Sequence, residues 1–345
     1  MKAVTYRGVG DFRVLDVPTP DLVRPADVLV RITLSAICGS DLHIYNGRVP
    51  IDEGAIVGHE FVGVVEKVGS EVRSLQPGQR VVASFYAACG HCALCRRGWW
   101  SQCEHKATFG HGSHFGGVGG GQAEYVVVPD ADLNLATIPD GVSDEQAIFA
   151  GDILSTGFFA AERADIRPGD SVAVVGAGPV GLMAVMSAQL FGPARVFALD
   201  MVETRLEKAR ELGAVPLDVG AVNPEMELQR LTGGVGVDAV LECVGRLDAI
   251  ETAIACVRGG GTVSSVGVPS AVCGDFPYMD FWMRDLTYRG GWANVHAYLR
   301  PLLDLISAGR LHPECVISHR MRLEEAEEAY RLFERREATK VVLTP

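Results

Sequence analysis

Residues 171–194, SVAVVGAGPVGLMAVMSAQLFGPA, carry no charged side chain, and a run of that length could cross a bilayer as one helix of about 20 residues. Gly176, Gly178, Pro179 and Gly181 interrupt it halfway. Proline lacks a backbone donor and glycine loosens a helix, so the run divides into a short strand, a turn and a helix. RVFALD (195–200) then reads as a second strand and 203–212 as a second helix. VDAVLECVG (237–245), a helix near 247–257 and GTVSSVG (261–267) continue the alternation. This is the pattern of a doubly wound parallel sheet, an α/β fold of the Rossmann type.

The first ~150 residues have another texture, with short β-type runs such as VLVRITLSAI (28–37), EFVGVVEKVGS (60–70), QRVVASF (79–85) and AEYVVVP (123–129) between turn formers. After the α/β region the chain returns to a mixed texture with two helical segments and a last strand, KVVLT. We therefore expect a mostly β catalytic domain, 1–153 with 293–345, split by a nucleotide domain at 154–292. With 31 basic and 43 acidic side chains the net charge is −12. That balance disfavours nucleic acid or an anionic membrane as partner and favours a small molecule. MKAVTYRG lacks the apolar core of a secretory signal, so a cytoplasmic protein with reduced thiols is expected.

Gly176-Ala177-Gly178-Pro179-Val180-Gly181 matches Gly-x-Gly-x-x-Gly between a strand and a helix, with Asp200 ending the next strand 24 residues after Gly176. Glycines let a pyrophosphate approach the backbone at the helix N-terminus, and a carboxylate at Asp200 accepts hydrogen bonds from the adenosine ribose hydroxyls. A carboxylate there would also repel a 2′-phosphate, which predicts NAD(H) over NADP(H). Arg205 complicates this, because it could reach either a phosphate or the ribose.

Cys89, Cys92, Cys95 and Cys103 are four of the nine cysteines and form C-x2-C-x2-C-x7-C. In a reducing compartment this spacing suits four thiolates around one Zn2+, with an iron–sulfur cluster as the rival. Four thiolates leave no open position, so the site is structural. The remaining cysteines, Cys38 apart, are assigned to packing: Cys243, Cys256, Cys273 and Cys315.

ICGSDLHIYNG contains Cys38, Ser40, Asp41 and His43, and IVGHEFVGVVEKVG contains His59 and Glu60. Thiol, imidazole and carboxylate are the ligand set of an open zinc site. These two segments, the four-cysteine lobe and the dinucleotide motif, in this order, resemble the zinc-dependent medium-chain alcohol dehydrogenases over essentially the whole chain. The resemblance implies a GroES-like catalytic domain, two Zn2+ per chain, and catalytic ligands Cys38, His59 and Asp152. Many members have cysteine at the Asp152 position; aspartate there is similar to bacterial secondary alcohol dehydrogenases and glutathione-independent formaldehyde dehydrogenases. Glu60 matches a carboxylate beside the metal, a transient ligand or outer partner.

The same resemblance makes Ser40 and His43 a proton relay through a cofactor ribose hydroxyl, and leaves Asp41 without a chemical role. Thr156 and Val180 match residues lining the nicotinamide, Val266 and Val268 those holding its carboxamide, and Lys340 a basic residue near the pyrophosphate. Gly39 stands where many relatives carry another cation. Ser40, His59, Phe85, Phe109 and Trp292 are expected to line the pocket, placed in a cleft between the domains. The implied activity is reversible hydride transfer between a secondary or small primary alcohol and NAD(H) in a homo-oligomer, a tetramer before a dimer. Aldehyde, polyol or threonine oxidation are alternatives, although 345 residues leave no room for the cofactor-covering loop of formaldehyde dehydrogenases. A non-catalytic zinc module that docks protein or nucleic acid is the alternative of another class. Only Arg96, Arg97 and Lys106 accompany the lobe, which is sparse for a phosphate footprint.

Overall fold

A computed structural model describes residues 1–269 and 277–345. Cys273, assigned above to packing, lies outside the described residues. Two compact units emerge, Met1–Ser155 with Asn294–Pro345, and Thr156–Ala293.

The first unit is built on an antiparallel core. Strand Val28–Ala36 pairs with Glu60–Val68 and with Tyr125–Val128. Glu60–Val68 continues to Arg80–Ala83, and that strand to Leu135–Thr137. The C-terminal strand Val341–Thr344 lies antiparallel to the far end of Val28–Ala36, so residues more than 300 apart share one sheet. Val28, Val30, Ile32, Phe61, Val65 and Val81 fill one core cluster of this unit. Helix Ala326–Glu334 closes a second cluster with Ala326, Ala329, Tyr330 and Phe333, the 3–4 spacing of a single buried helical face.

The second unit is a six-stranded sheet with every adjacent pair parallel. Its order is Val215–Asp218, Arg195–Asp200, Ser171–Val175, Val237–Glu242, Val257–Ser265, Thr287–Gly290. The order doubles back between Ser171–Val175 and Val237–Glu242, the switch point where such sheets bind ligands. Helix Pro179–Gln189 starts there, and its residues Gly181 to Ala188 are all buried. The uncharged run is thus a buried strand followed by a helix buried on all sides. No helix among the described residues is long and apolar enough to cross a membrane.

In this parallel sheet two strands escaped the sequence reading. Val215–Asp218 holds a proline and an aspartate, and the edge strand Thr287–Gly290 is exposed throughout, so neither shows an apolar run or alternation.

Candidate active site

Cys38 follows strand Val28–Ala36, His59 immediately precedes and Glu60 opens the neighbouring strand, and Asp152 precedes helix Ile153–Arg163. Gly151 lets that turn approach the sheet, since a Cβ there would lie 2.2 Å from the Ala83 carbonyl oxygen. Together these elements bring one thiol, one imidazole nitrogen and two carboxylate oxygens within 4.8 Å of one another, all buried. His59 Nε2 lies 3.2 Å from Asp152 Oδ2 and 3.3 Å from Ser40 Oγ.

The charge balance of this cluster asks for a cation. Burial, together with the charges of Asp152 and Glu60, pushes the Cys38 thiol up to about 11, so it ionises only beside added positive charge. Burial acts to lower the affinity of His59 for protons, yet Asp41 and Asp152 raise it well above the usual value. A divalent cation answers both demands, and soft sulfur with imidazole and carboxylate suits zinc.

The second group is Cys89, Cys92, Cys95 and Cys103, again within 4.8 Å. Cys103 and Cys89 sulfurs are 3.6 Å apart; a tetrahedron with ~2.3 Å bonds to zinc has edges of about 3.8 Å. Backbone N–H groups of Cys89 and His105 donate to Cys103 Sγ at 3.3 Å, and that of Cys95 to Cys92 Sγ at 3.4 Å. Such donors favour thiolates, and at Cys92 those of Cys95 and Glu104 lower the thiol to about 6.

In the second unit Gly176 adopts φ +88°, and a Cβ on Gly181 would sit 1.7 Å from the Gly176 carbonyl oxygen. Both positions therefore require glycine. Pro179 occupies the first turn of the helix behind Gly178. Asp200 Oδ2 accepts the Ala177 N–H at 2.8 Å, and Oδ1 accepts those of Met201 and Val202 at 2.7 and 3.0 Å. Arg205 lies 3.6 Å from Asp200 Oδ2.

Residues 24–140 match the alcohol dehydrogenase GroES-like domain, and residues 179–308 match the zinc-binding dehydrogenase domain. The chain belongs to the zinc-dependent medium-chain alcohol dehydrogenases. An alcohol dehydrogenase of Cupriavidus necator is 39% identical over 358 residues, covering 96% of this chain and 95% of that one. The solved alcohol dehydrogenase of Thermus sp. ATN1 is 46% identical, with a TM-score of 0.97 over 100% of this chain and 99% of its own. A zinc-binding dehydrogenase of Sinorhizobium meliloti 1021, 29% identical with a TM-score of 0.88 over 100% and 99% of the two chains, was solved bound to NADP. The dehydrogenase accordingly has two zinc sites, a catalytic group at Cys38, His59 and Glu60 and a structural one at the four cysteines.

The dehydrogenase departs from the sequence reading at three side chains. Lys340, placed near the pyrophosphate by resemblance, is fully buried with its ammonium 2.6 Å from Glu60 Oε2 and 2.7 Å from Oε1. Phe109, assigned to the pocket, is a core residue packed edge-on against Phe61 at 5.1 Å. Asp41, left without a role, is fully buried with Oδ1 3.1 Å from His59 Nδ1 and Oδ2 accepting the Cys38 N–H at 2.9 Å. A carboxylate on the far nitrogen fixes which nitrogen of an imidazole faces a metal. The signal lay in an aspartate three residues after the cysteine ligand.

His111 also went unassigned. Its ring lies 5.2 Å from that of His59, and its Nδ1 is 2.9 Å from the Phe109 carbonyl. Since a carbonyl only accepts, Nδ1 carries the proton and Nε2 is left as an acceptor beside the site. Burial lowers its affinity for protons. Phe85, on the pocket list, stands 6.1 Å from His59, whereas Trp292 belongs to the other unit.

Proposed function

We propose that the chain is an NAD-dependent alcohol dehydrogenase acting on secondary or small primary alcohols. The observation that carries this reading is the buried Cys38, His59, Glu60 and Asp152 cluster in a chain that also holds an Asp200-anchored dinucleotide loop. Cys38, His59 and Asp152 would hold the catalytic zinc, with Glu60 as an exchangeable fourth partner. Bound zinc would supply a Lewis acid for the alcohol oxygen, and bound NAD a hydride acceptor. Aspartate rather than cysteine at residue 152 supports placement beside the bacterial secondary alcohol dehydrogenases.

The chain's own groups manage the proton. Ser40 Oγ stands beside His59 Nε2 and takes the hydroxyl proton of the substrate, being able to accept and donate at once. His43 would be the final acceptor of that proton before solvent. Burial, aided by the Arg48 charge, lowers the affinity of His43 for protons, so it is neutral and able to accept at neutral pH. Thr156 and Val180 would line the nicotinamide, with Val266 and Val268 at its carboxamide. Phe85 and His111, both half-buried, stand around His59 and favour a compact substrate.

Since the fold also accommodates NADP in a relative, the choice rests on Asp200. Its carboxylate is fixed by three backbone donors, and the nearest cation, Arg205, faces it. A 2′-phosphate there would meet a like charge, a cost of several kcal/mol. At about 1.4 kcal/mol per factor of ten, kcat/KM for NAD should exceed that for NADP by about a hundredfold in a spectrophotometric screen of alcohols. Equal use of NADP would sink the cofactor assignment. A panel with formaldehyde, polyols and threonine decides among the branches, and zinc content without any turnover would favour the docking module.

A homo-oligomer is the working assembly, a tetramer before a dimer. Strand Thr287–Gly290 pairs on one side only, and the adjacent helix Tyr278–Arg284 leaves Tyr278, Met279, Trp282 and Met283 between 63% and 67% exposed. An unpaired edge flanked by bare aromatic surface is covered by a second copy of itself. Light scattering should return a multiple of the 36.9 kDa chain; a monomer at micromolar concentration would contradict it. No disulfide joins the described cysteines, and a cytoplasmic location is part of the proposal.

A further inference from the structure

A buried line of side chains runs from the zinc site to the C-terminal helix. His59 Nδ1 faces Asp41 Oδ1 at 3.1 Å. Asp41 Oδ2 receives the Gln122 amide at 3.4 Å, and the same amide nitrogen donates to the Ala36 carbonyl at 3.2 Å. Tyr330 donates its hydroxyl to Gln122 Oε1 at 2.8 Å. Asp41, Gln122 and Tyr330 are fully buried, and His59 is 2% exposed.

The donor and acceptor identities along this line are forced. Carbonyls and carboxylates only accept, so both contacts of the Gln122 nitrogen must be N–H donations, and its oxygen must face Tyr330. Burial raises the Tyr330 phenol well above its usual range, so a neutral O–H remains to donate. That hydroxyl gives the amide oxygen its partner and so secures the orientation that the Ala36 carbonyl and the Asp41 carboxylate impose on the nitrogen. A flipped Gln122 would set its oxygen against the Asp41 carboxylate, two acceptors in contact in a dry interior. Gln122 is also held to the backbone before the ligand. Gly58 has φ +91°, and a Cβ on it would lie 2.4 Å from Gln122 Cγ. Tyr330 itself is stacked on Tyr45 at 5.7 Å and meets Phe12 edge-on at 4.6 Å.

We propose that Tyr330 and Gln122 are positioning residues for the catalytic metal: through Asp41 they fix the tautomer and orientation of His59, so that Nε2 faces the zinc. The proposal rests on the assignment of zinc to Cys38 and His59. It makes retention of that metal depend on helix Ala326–Glu334, which reaches the line through the Tyr330–Gln122 hydrogen bond.

The test uses the full-length, zinc-loaded protein and follows release of each zinc to a metallochromic chelator at neutral pH. Wild type should release two zinc ions in two phases. Outer partners of metal-bound histidine are typically worth 10–100-fold in metal affinity. Gln122→Met should therefore speed one phase by about 10–100-fold, and Tyr330→Phe, which removes one oxygen and keeps the ring packing, by several-fold. The four-thiolate phase should be unchanged in both. In an Asp41→Asn background the added effect of Tyr330→Phe should vanish, because residues in one network are non-additive. An unchanged catalytic phase in folded Tyr330→Phe, or the same increment with and without Asp41, would overturn the line of positioning. A wild-type protein that releases only one zinc would instead overturn the metal assignment beneath it.

Discussion

Replacing Cys38 with serine should leave one zinc per chain where the parent holds two, and lower turnover by more than about a hundredfold, the upper end of what an outer partner alone costs. Cys38 is 8% exposed, and its thiol ionises only with a cation beside it. Serine offers a shorter, harder and less acidic group, and leaves His59, Glu60 and Asp152 to hold a metal that prefers sulfur in such a set. The Cys38 N–H still donates to Asp41, and the four-thiolate group closes on residues 89–103 alone. Metal analysis beside near-ultraviolet circular dichroism separates the two sites. A folded Cys38→Ser protein that keeps two zinc ions and full turnover would place the chemistry elsewhere.

Lys340→Met should lower stability by about 3–5 kcal/mol, the cost of stranding one member of a buried pair. Lys340 and Glu60 are each fully buried at 2.6 Å. Burial already pushes the Glu60 carboxyl up to about 7 against the pull of the ammonium, and removing the ammonium raises it further. A carboxyl whose folded-state value exceeds its unfolded one, near 4.5, loses stability as pH rises through the folded value. The deficit of the variant should therefore be greatest in alkaline solution and shrink as pH falls toward 4.5. Urea midpoints across pH measure this. Glu60→Gln/Lys340→Met should recover most of the loss, and a double variant no more stable than the single one would refute the pairing.

The doubly wound sheet was readable from residue identity because its inner strands are short apolar runs between glycines, and its turn demands Gly176 and Gly181. The four-thiolate group was readable because thiols at close spacing have few other uses in a reducing compartment, whereas the catalytic group, with its single thiol, was legible only through the family resemblance. Side chains whose meaning depends on distant partners were not. Asp41 becomes meaningful only when a turn of chain sets it against His59, and Gln122 only when a helix two hundred residues later brings Tyr330. Lys340 resembled a cofactor cation in sequence, yet its burial beside Glu60 depends on the terminal strand joining the sheet beside Ser35 and Ala36. The edge strand Thr287–Gly290 lacked a signal because no face of it is buried.

The way the first unit is assembled from the two ends of the chain has a consequence for its synthesis. The four-thiolate lobe can close as soon as residue 103 clears the ribosome, since its ligands span fifteen positions. The catalytic group has no such independence. Cys38, His59 and Glu60 emerge early, but Lys340, the counter-charge of Glu60, follows His59 by 281 residues (340 − 59). At about 5–20 residues per second that interval lasts tens of seconds, during which a thiol and a carboxylate meant for burial stand in water without their neighbours. The scaffold site is thus complete within one short stretch of chain, whereas the surroundings of the catalytic group draw on both ends of the sequence.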